Sequence, residues 1–404
     1  MLFKIAWRNI WRNKRRSIIV MISIMIGVIA VILSSTLSLG FMQQILDNQI
    51  GSHVSHIQIH KNGFNDNKII QNYIPDERSV EAKLIANPQV KYYSKRVISM
   101  GLMSSAYNSA GVMIVGIIPN DEQKITKIKE SIIEGVYLSG KFNEIVMGKK
   151  LAEKLDVELG DKVVGMASSL DGRIGSDAFR IVGLYKTFSS KFDQFSIYIS
   201  LQNAQEMLGL TGKISEIAII SDDLNNVPNL DETITAKLDE NYEVLNYAEL
   251  LPLSVMQIDL YKQSMFIFYA IIGLALIFGI INTMLMSVFE RIHEFGVLMA
   301  IGMRSRKLFS MIIMESLVLG VLGTLIGFMV GLSLYFWLAD VGIDLSLFSE
   351  SLNSFGSGVI LYPVLTVDSV INSLVVIPIF SVIGALYPAI KAARLDPIQA
   401  IRYV

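Results

Sequence analysis

Cysteine is absent from the 404 residues. That excludes structural disulfides, thiol catalysis and cysteine-ligated metal, and it leaves the redox compartment open. Charge is also scarce: 18% of residues are Asp, Glu, Lys or Arg, where a soluble globular chain carries about a quarter. The net charge of −1 gives no basic excess for a nucleic-acid partner. What fills the chain is apolar, with 52% hydrophobic residues.

The missing charge is missing in blocks. No charged residue lies between Arg16 and Asp47, between Lys262 and Glu290, or between Asp368 and Lys391, and Glu315 is the only one between Lys307 and Asp340. About 20 helical residues cross a hydrocarbon core of about 30 Å. A helix satisfies its own backbone in lipid, whereas barrel strands would alternate in polarity. The blocks therefore predict transmembrane helices at 17–41, 263–289, 308–339 and 369–390. The first is too long for a signal-peptide core, and no small-residue cleavage site follows it.

Lysine and arginine orient the spans. Lys4, Arg8, Arg12, Lys14, Arg15 and Arg16 precede the first. Arg291, Arg304, Arg306 and Lys307 lie between the second and third, and Lys391, Arg394 and Arg402 follow the fourth. The segment 340–368 has no Lys or Arg. The positive-inside rule then places segments 1–16, 290–307 and 391–404 in the cytoplasm, and 42–261 and 340–368 outside. Trp7, Trp11 and Trp337 fall where interfacial anchors belong. Phe3, Ala6, Trp7 and Ile10 recur at helical spacing among basic residues, which predicts an interfacial helix within 1–16.

Segment 42–261 has the size of a domain. His56 to His60 and Ser196 to Ser200 alternate as half-buried strands do, and Val112 to Gly116 and Arg180 to Leu184 are short apolar strands. Helical stretches run over Ser79 to Ala86, Lys149 to Leu155, Leu201 to Leu208 (capped by Ser200 or Asn203) and Asp231 to Asp239. Thr187 to Gln194 and Ser168 to Asp177 are expected to be exposed loops, the second tipping a hairpin. The fold class expected is a membrane protein with four transmembrane α-helices and a large α+β extracytoplasmic domain between helices 1 and 2.

Catalytic signals are lacking. His53, His56 and His60 cluster in sequence, but His56 and His60 would stand about 13 Å apart on the polar face of one strand, a poor metal site. No G-x-S-x-G elbow is present. Gly212-Lys213 lacks the upstream glycine of a phosphate loop, since Met207 stands there, and no Ser or Thr follows the lysine. An ATPase would have to be another polypeptide. Glu315 lies about 12 Å beyond Lys307 along a helix. It could pair with an arginine of the basic flank or relay protons. Gly323, Gly327 and Gly331 have the small-xxx-small spacing of close helix packing. Pro378 and Pro388 should bend or end the fourth helix.

The stretch Glu290-Arg291-Ile292-His293-Glu294-Phe295-Gly296, continuing to Ala300-Ile301-Gly302, is charged at its start and apolar later. It resembles the E-R-x-x-E-[FI]-G-x-x-x-A-[IL]-G segment of the MacB/FtsX-like permeases of ABC transporters. Tyr387-Pro388-Ala389 followed by Ala392 to Arg402, Ala6-Trp7-Arg8-Asn9 with Arg15-Arg16-Ser17, and Glu144 to Gly148 with Gly160-Asp161-Lys162-Val163 also match that family's patterns. The stretch Phe179 to Tyr198 is most similar to the lipoprotein-releasing (LolC/LolE-type) permeases. The resemblance covers nearly the whole chain.

It implies a transport subunit, not an enzyme, with no cofactor of its own. ATP and Mg would sit on a cytoplasmic ABC ATPase, and a second permease copy or paralogue would complete the assembly. Glu290, Arg291, Glu294, Phe295 and Gly296 would couple to the ATPase. The client would be a lipoprotein or another amphipathic molecule. Phe41, Met42, Met265 and Phe268 are candidate client contacts. A periplasmic carrier is a further candidate partner, docking on Leu170, Asp171, Gly172, Arg173 and Ile174, although this hairpin is short for that role. Rival expectations are an efflux or peptide-export permease of the same superfamily, a mechanical regulator of a cell-wall hydrolase, and a ligand-sensing receptor.

Overall fold

The computed structural model describes residues 2–12, 14–349, 351–352 and 356–402, with the side chains of all of these except 2–5 and 402. The side chains of Phe3, Lys4 and Arg402, and the ends of segments 1–16 and 391–404, lie outside the described residues. The chain divides into two compact units, one of residues 1–42, 257–344 and 360–404, the other of 43–256 and 345–359.

The first unit is helical. Helix α1 is Leu2–Arg12, α2 Lys14–Gln49, α3 Pro252–Glu290, α4 Ile292–Ala300, α5 Ser305–Val341, α6 Val367–Ala393 and α7 Pro397–Arg402. Helices α2, α3, α5 and α6 are long and apolar enough to cross a membrane. Helix α2 continues to Gln49 and α3 starts at Pro252, so both extend past their apolar runs.

Missing side chains let these helices meet. A Cβ on Gly323, Gly327 or Gly331 would stand 2.8–2.9 Å from Ile24, Met25, Val28 or Ile32 of α2. A Cβ on Gly320 would stand 2.8 Å from the Ser381 hydroxyl of α6, and Ser316 donates to the Ser381 carbonyl at 2.9 Å. Gly273 and Gly384 bring α3 against Phe380 of α6 and α6 against Ile280 of α3 in the same way. Close approach gains van der Waals contact, which drives association where lipid removes the hydrophobic contrast. Helix α6 runs unbroken through Pro378 and Pro388, so neither proline ends it.

The second unit holds a ten-stranded mixed sheet. Its strands are β1 Ile57–Lys61, β2 Val90–Ser104, β3 Ser109–Ile117, β4 Ile132–Gly135, β5 Glu144–Gly148, β6 Lys162–Ser168, β7 Ile174–Tyr185, β8 Ser196–Ser200, β9 Glu216–Ser221 and β10 Tyr242–Asn246. They lie in the order β10-β1-β9-β2-β3-β8-β5-β7-β4, with β6 pairing β2 and β7. The β3–β8 and β5–β7 pairs are parallel and the others antiparallel.

Strand periodicity explains the short apolar runs. Val112 and Ile114 join one core with Ile145, Met147, Ile197 and Ile199, whereas Val115 and Ile117 join another with Val146, Tyr185 and Tyr198. The central strands are thus covered on both faces, which erases alternation from the sequence. Four helices lend side chains to the first core: Glu77–Ile85, Lys149–Leu155, Leu201–Leu208 and Val227–Thr235. Ser200 caps the third, accepting from the Asn203 amide.

Three sequence expectations change here. The stretch Thr187 to Gln194 is not an open loop. It contains a helical turn, Ser190–Asp193, and the buried Asp193 carboxylate accepts from the Thr187 amide and hydroxyl. His60 does not stand on a polar face. It is buried, and its Nε2 donates to Glu216 at 3.0 Å. Of the presumed hairpin loop, Ile174 to Asp177 already belong to β7, so the tip is only Ser169 to Arg173. Residues 345–359, between the third and fourth spans, belong to the second unit, which no local pattern announced.

Candidate functional site

The end of α3 and the segment joining it to α5 gather the densest set of long-range ion pairs among the described residues of the first unit. Arg16 donates to Glu290 at 2.7 Å and Arg12 to Glu294 at 2.5 Å. Arg291 is buried and lies over the Phe295 ring at 5.0 Å. Its guanidinium reaches Glu294 at 3.1 Å and Glu315, also buried, at 3.4 Å. A guanidinium offers five donors in a planar fork, so it can hold two carboxylates at once. Glu315 therefore has a partner in Arg291. Burial pushes the Glu294 carboxyl up, but hydrogen bonds from Arg12 and Arg291 outweigh it and hold the group below its ordinary value.

Packing seats the same segment. Phe295 is buried in the helical core. A Cβ on Gly296 would stand 2.8 Å from the Ala400 Cβ, so the glycine admits α7 against α4. The His293 Nδ1–H donates to the Ile401 carbonyl at 3.0 Å. Lys391 of α6 lies over the Phe289 ring at 4.6 Å. Ala6 and Ile10 are buried on the protein side of α1, while Trp7 and Trp11 are exposed and meet edge to face. The apolar face read from the sequence thus splits, with one part packing inward and the tryptophans facing out.

The structure brings together all five residues named for coupling, Glu290, Arg291, Glu294, Phe295 and Gly296, in two roles. Phe295 and Gly296 seat the segment, and the three charged residues tie it to α1, α2 and α5. Sequence reasoning missed Arg12, Arg16 and Ala400 as their partners. The available signal was charge complementarity between a basic N-terminal run and an acidic pair some 280 residues later, with separations of 282 and 274 residues.

The other named residues fall elsewhere. Gly323, Gly327 and Gly331 face α2. Phe41 and Met42 are half-buried, Met265 is buried with the Tyr261 hydroxyl on its sulfur, and Phe268 is exposed. These four do not share one environment. In the hairpin tip, Ser169 donates to Asp171, Asp171 pairs with Arg173, Gly172 takes φ +79°, and the Leu170 amide donates to the Leu208 carbonyl. Leu170, Asp171, Gly172 and Arg173 thus form a tight turn pinned to a helix, leaving Ile174 as its exposed apolar residue.

Comparison with known proteins places this arrangement. Residues 17–237 match the MacB-like periplasmic core domain, more than half of the chain, and residues 266–397 match the FtsX-like permease C-terminal region. The chain is 25% identical to the lipoprotein-releasing system transmembrane protein LolC of Neisseria meningitidis, covering 93% of this chain and 91% of that one. It is 22% identical to the corresponding LolE of Haemophilus influenzae, over 99% and 98%. It is 27% identical to the pyoverdine export ATP-binding/permease protein PvdT of Pseudomonas syringae, over 98% of this chain and 58% of that longer protein. With four apolar helices and a mixed domain between the first two, the chain belongs to the MacB/FtsX-like family of ABC transporter permeases.

Proposed function

We propose that this permease transmits ATP-driven motion from a separate ATPase to its extracytoplasmic domain, and that the motion releases lipoproteins from the inner membrane. The carrying observation is the ion-pair set Arg12–Glu294, Arg16–Glu290 and Arg291–Glu315, which ties the segment between the second and third spans to three other helices. A push on α4 would be felt by α1 through Glu294, by α5 through the adjoining Arg291 and, through Glu290 at the end of α3, by α2. Helix α2 continues unbroken from Lys14, beside those pairs, to Gln49. In this reading both termini and residues 290–307 are cytoplasmic, and the ATPase docks on α4. Membership of the family implies that ATPase and a paired permease, either a second copy or a paralogue. The client assignment draws support from the LolC and LolE relatives, aligned nearly end to end.

The reading is tested by reversing Glu290→Lys and Glu294→Lys together in the reconstituted complex. Client-stimulated ATPase activity is expected to fall to the basal rate while the protein still inserts and binds its ATPase. Unchanged stimulation would sink the proposal. Release of an acylated client that persists after its acyl chains are removed would sink the lipoprotein assignment alone. The pinned five-residue hairpin tip favours a second reading, in which an amphipathic client is exported without a docked carrier.

A further inference from the structure

The second unit contains a cavity of about 280 Å³ lined by Asn48, Gln49, Ser52, His53, Phe188, Ser189, Lys191, Phe192, Leu251 and Gly356. The volume is at the low end for small-molecule sites, enough for a headgroup-sized molecule. One wall is the end of α2 and the π-helical turn Ile50–Val54 that follows it. Such turns are rare and recur at functional sites. The opposite wall is the segment 188–192, held in place by Asp193 through its bonds to Thr187.

The chemistry of the lining has one sign. Among the described residues Lys191 is the only charged one in the lining, exposed and without an ion pair. Among the described residues no carboxylate lines the cavity, and the nearby Asp193 is already engaged by Thr187. Ser189 adds a hydroxyl, the Ser52 hydroxyl already donates to the Asn48 carbonyl at 2.6 Å, and Gln49 adds an amide whose oxygen is held by Ser254. Phe188, half-exposed, with Phe192 and Leu251 supplies an apolar side. The His53 ring stacks on Phe192 at 4.9 Å, and its buried Nδ1 has no hydrogen-bond partner. Asn48 follows the last residue of the first uncharged run, Leu46, by two positions.

We propose that this cavity binds a phosphate-bearing headgroup of the glycerophosphate class, with Lys191 as its cation, Gln49 and Ser189 as neutral donors, and Phe188 against the apolar part. A lysine ammonium serves phosphate as a point charge with rotatable donors. The site stands whether the transported client is a lipoprotein or another amphiphile. It can be filled either by a membrane phospholipid or by a soluble phosphate.

The test uses the full chain in maltoside detergent, stripped of phospholipid, titrated calorimetrically with glycerol 1-phosphate and with inorganic phosphate. A parallel arm counts phosphatidylglycerol retained by the protein in native mass spectrometry. Lys191→Glu is expected to weaken binding about tenfold or more, the loss of one charge-assisted contact, whereas Lys191→Arg keeps it. Lys191 is exposed, so both variants should melt with the parent chain. Glycerol phosphate binding without lipid retention supports a soluble occupant, and lysine-dependent lipid retention supports a lipid headgroup. If neither probe binds, or if Lys191→Glu binds both as the parent does, the proposal is overturned.

Discussion

At the scale of single residues, the densest chemistry lies in the mixed domain. Arg96 is buried, its Nε and Nη2 on Glu122 at 3.0 and 2.7 Å and its Nη1 on Glu216 at 2.6 Å and on the His53 carbonyl at 2.8 Å. Glu216 also accepts from His60. Burial pushes the Glu216 carboxyl up, but the Arg96 charge and the His60 hydrogen bond bring it from 4.5 down to about 2. His53 moves from 6.5 down to about 4, first through burial and then through the charges of Arg96 and Lys68. These shifts make stability depend on pH. Between pH 6.5 and 4 the unfolded chain takes a proton at His53 that the folded chain refuses, so stability falls on acidification. The contribution of Glu216 is complete above pH 4.5 and is lost as pH falls toward 2. Thermal unfolding of the full chain at pH 7.5, 6, 5 and 4 should therefore show a steady loss that His53→Asn flattens. A variant whose losses run parallel to the parent's would refute the assignment.

At the scale of elements, the interface between α2 and α5 rests on glycine. Replacing Gly327 by leucine puts side-chain atoms where Met25 and Val28 already stand, and overpacking of that kind costs about 1–3 kcal/mol. Gly279 of α3 has open space around its Cβ position, so Gly279→Ala should be neutral or slightly stabilising. Melting of the purified protein checks both, and equal effects would mean that packing is not the cause. The spacing of Gly323, Gly327 and Gly331 made a packing face legible in advance, because a period of four marks one side of a helix. Which helix would meet that face was not legible, because each of the other spans also offers an apolar surface. His60 was misread for a related reason: alternation reports that a residue faces away from its neighbours, and in a sheet covered on both sides that direction also leads inward.

At the scale of the whole molecule, the proposed orientation can be tested cleanly because the chain has no native cysteine. Lys141→Cys, exposed in the mixed domain, should react with a membrane-impermeant maleimide in intact bacterial spheroplasts. Arg304→Cys, exposed between α4 and α5, should react only after the membrane is opened. The reverse pattern would invert the topology and remove the ATPase-docking role proposed for α4.

The number of membrane helices, the mixed domain between the first two and the segment at 290–302 were already written in the amino-acid order. Each of these is a local property: the length of an uncharged run, the mixture of two periodicities, a contiguous motif. Tertiary structure decided the partners. Arg12 and Arg16 meet Glu294 and Glu290 across separations of 282 and 274 residues. Residues 345–359 join the unit of the mixed domain. Residues as far apart as Asn48, Lys191, Leu251 and Gly356 line one cavity, with Lys191 its one cation among the described residues. Complementary charge and shape act through space, and a linear pattern records which groups seek a partner without recording where the folded chain will place one.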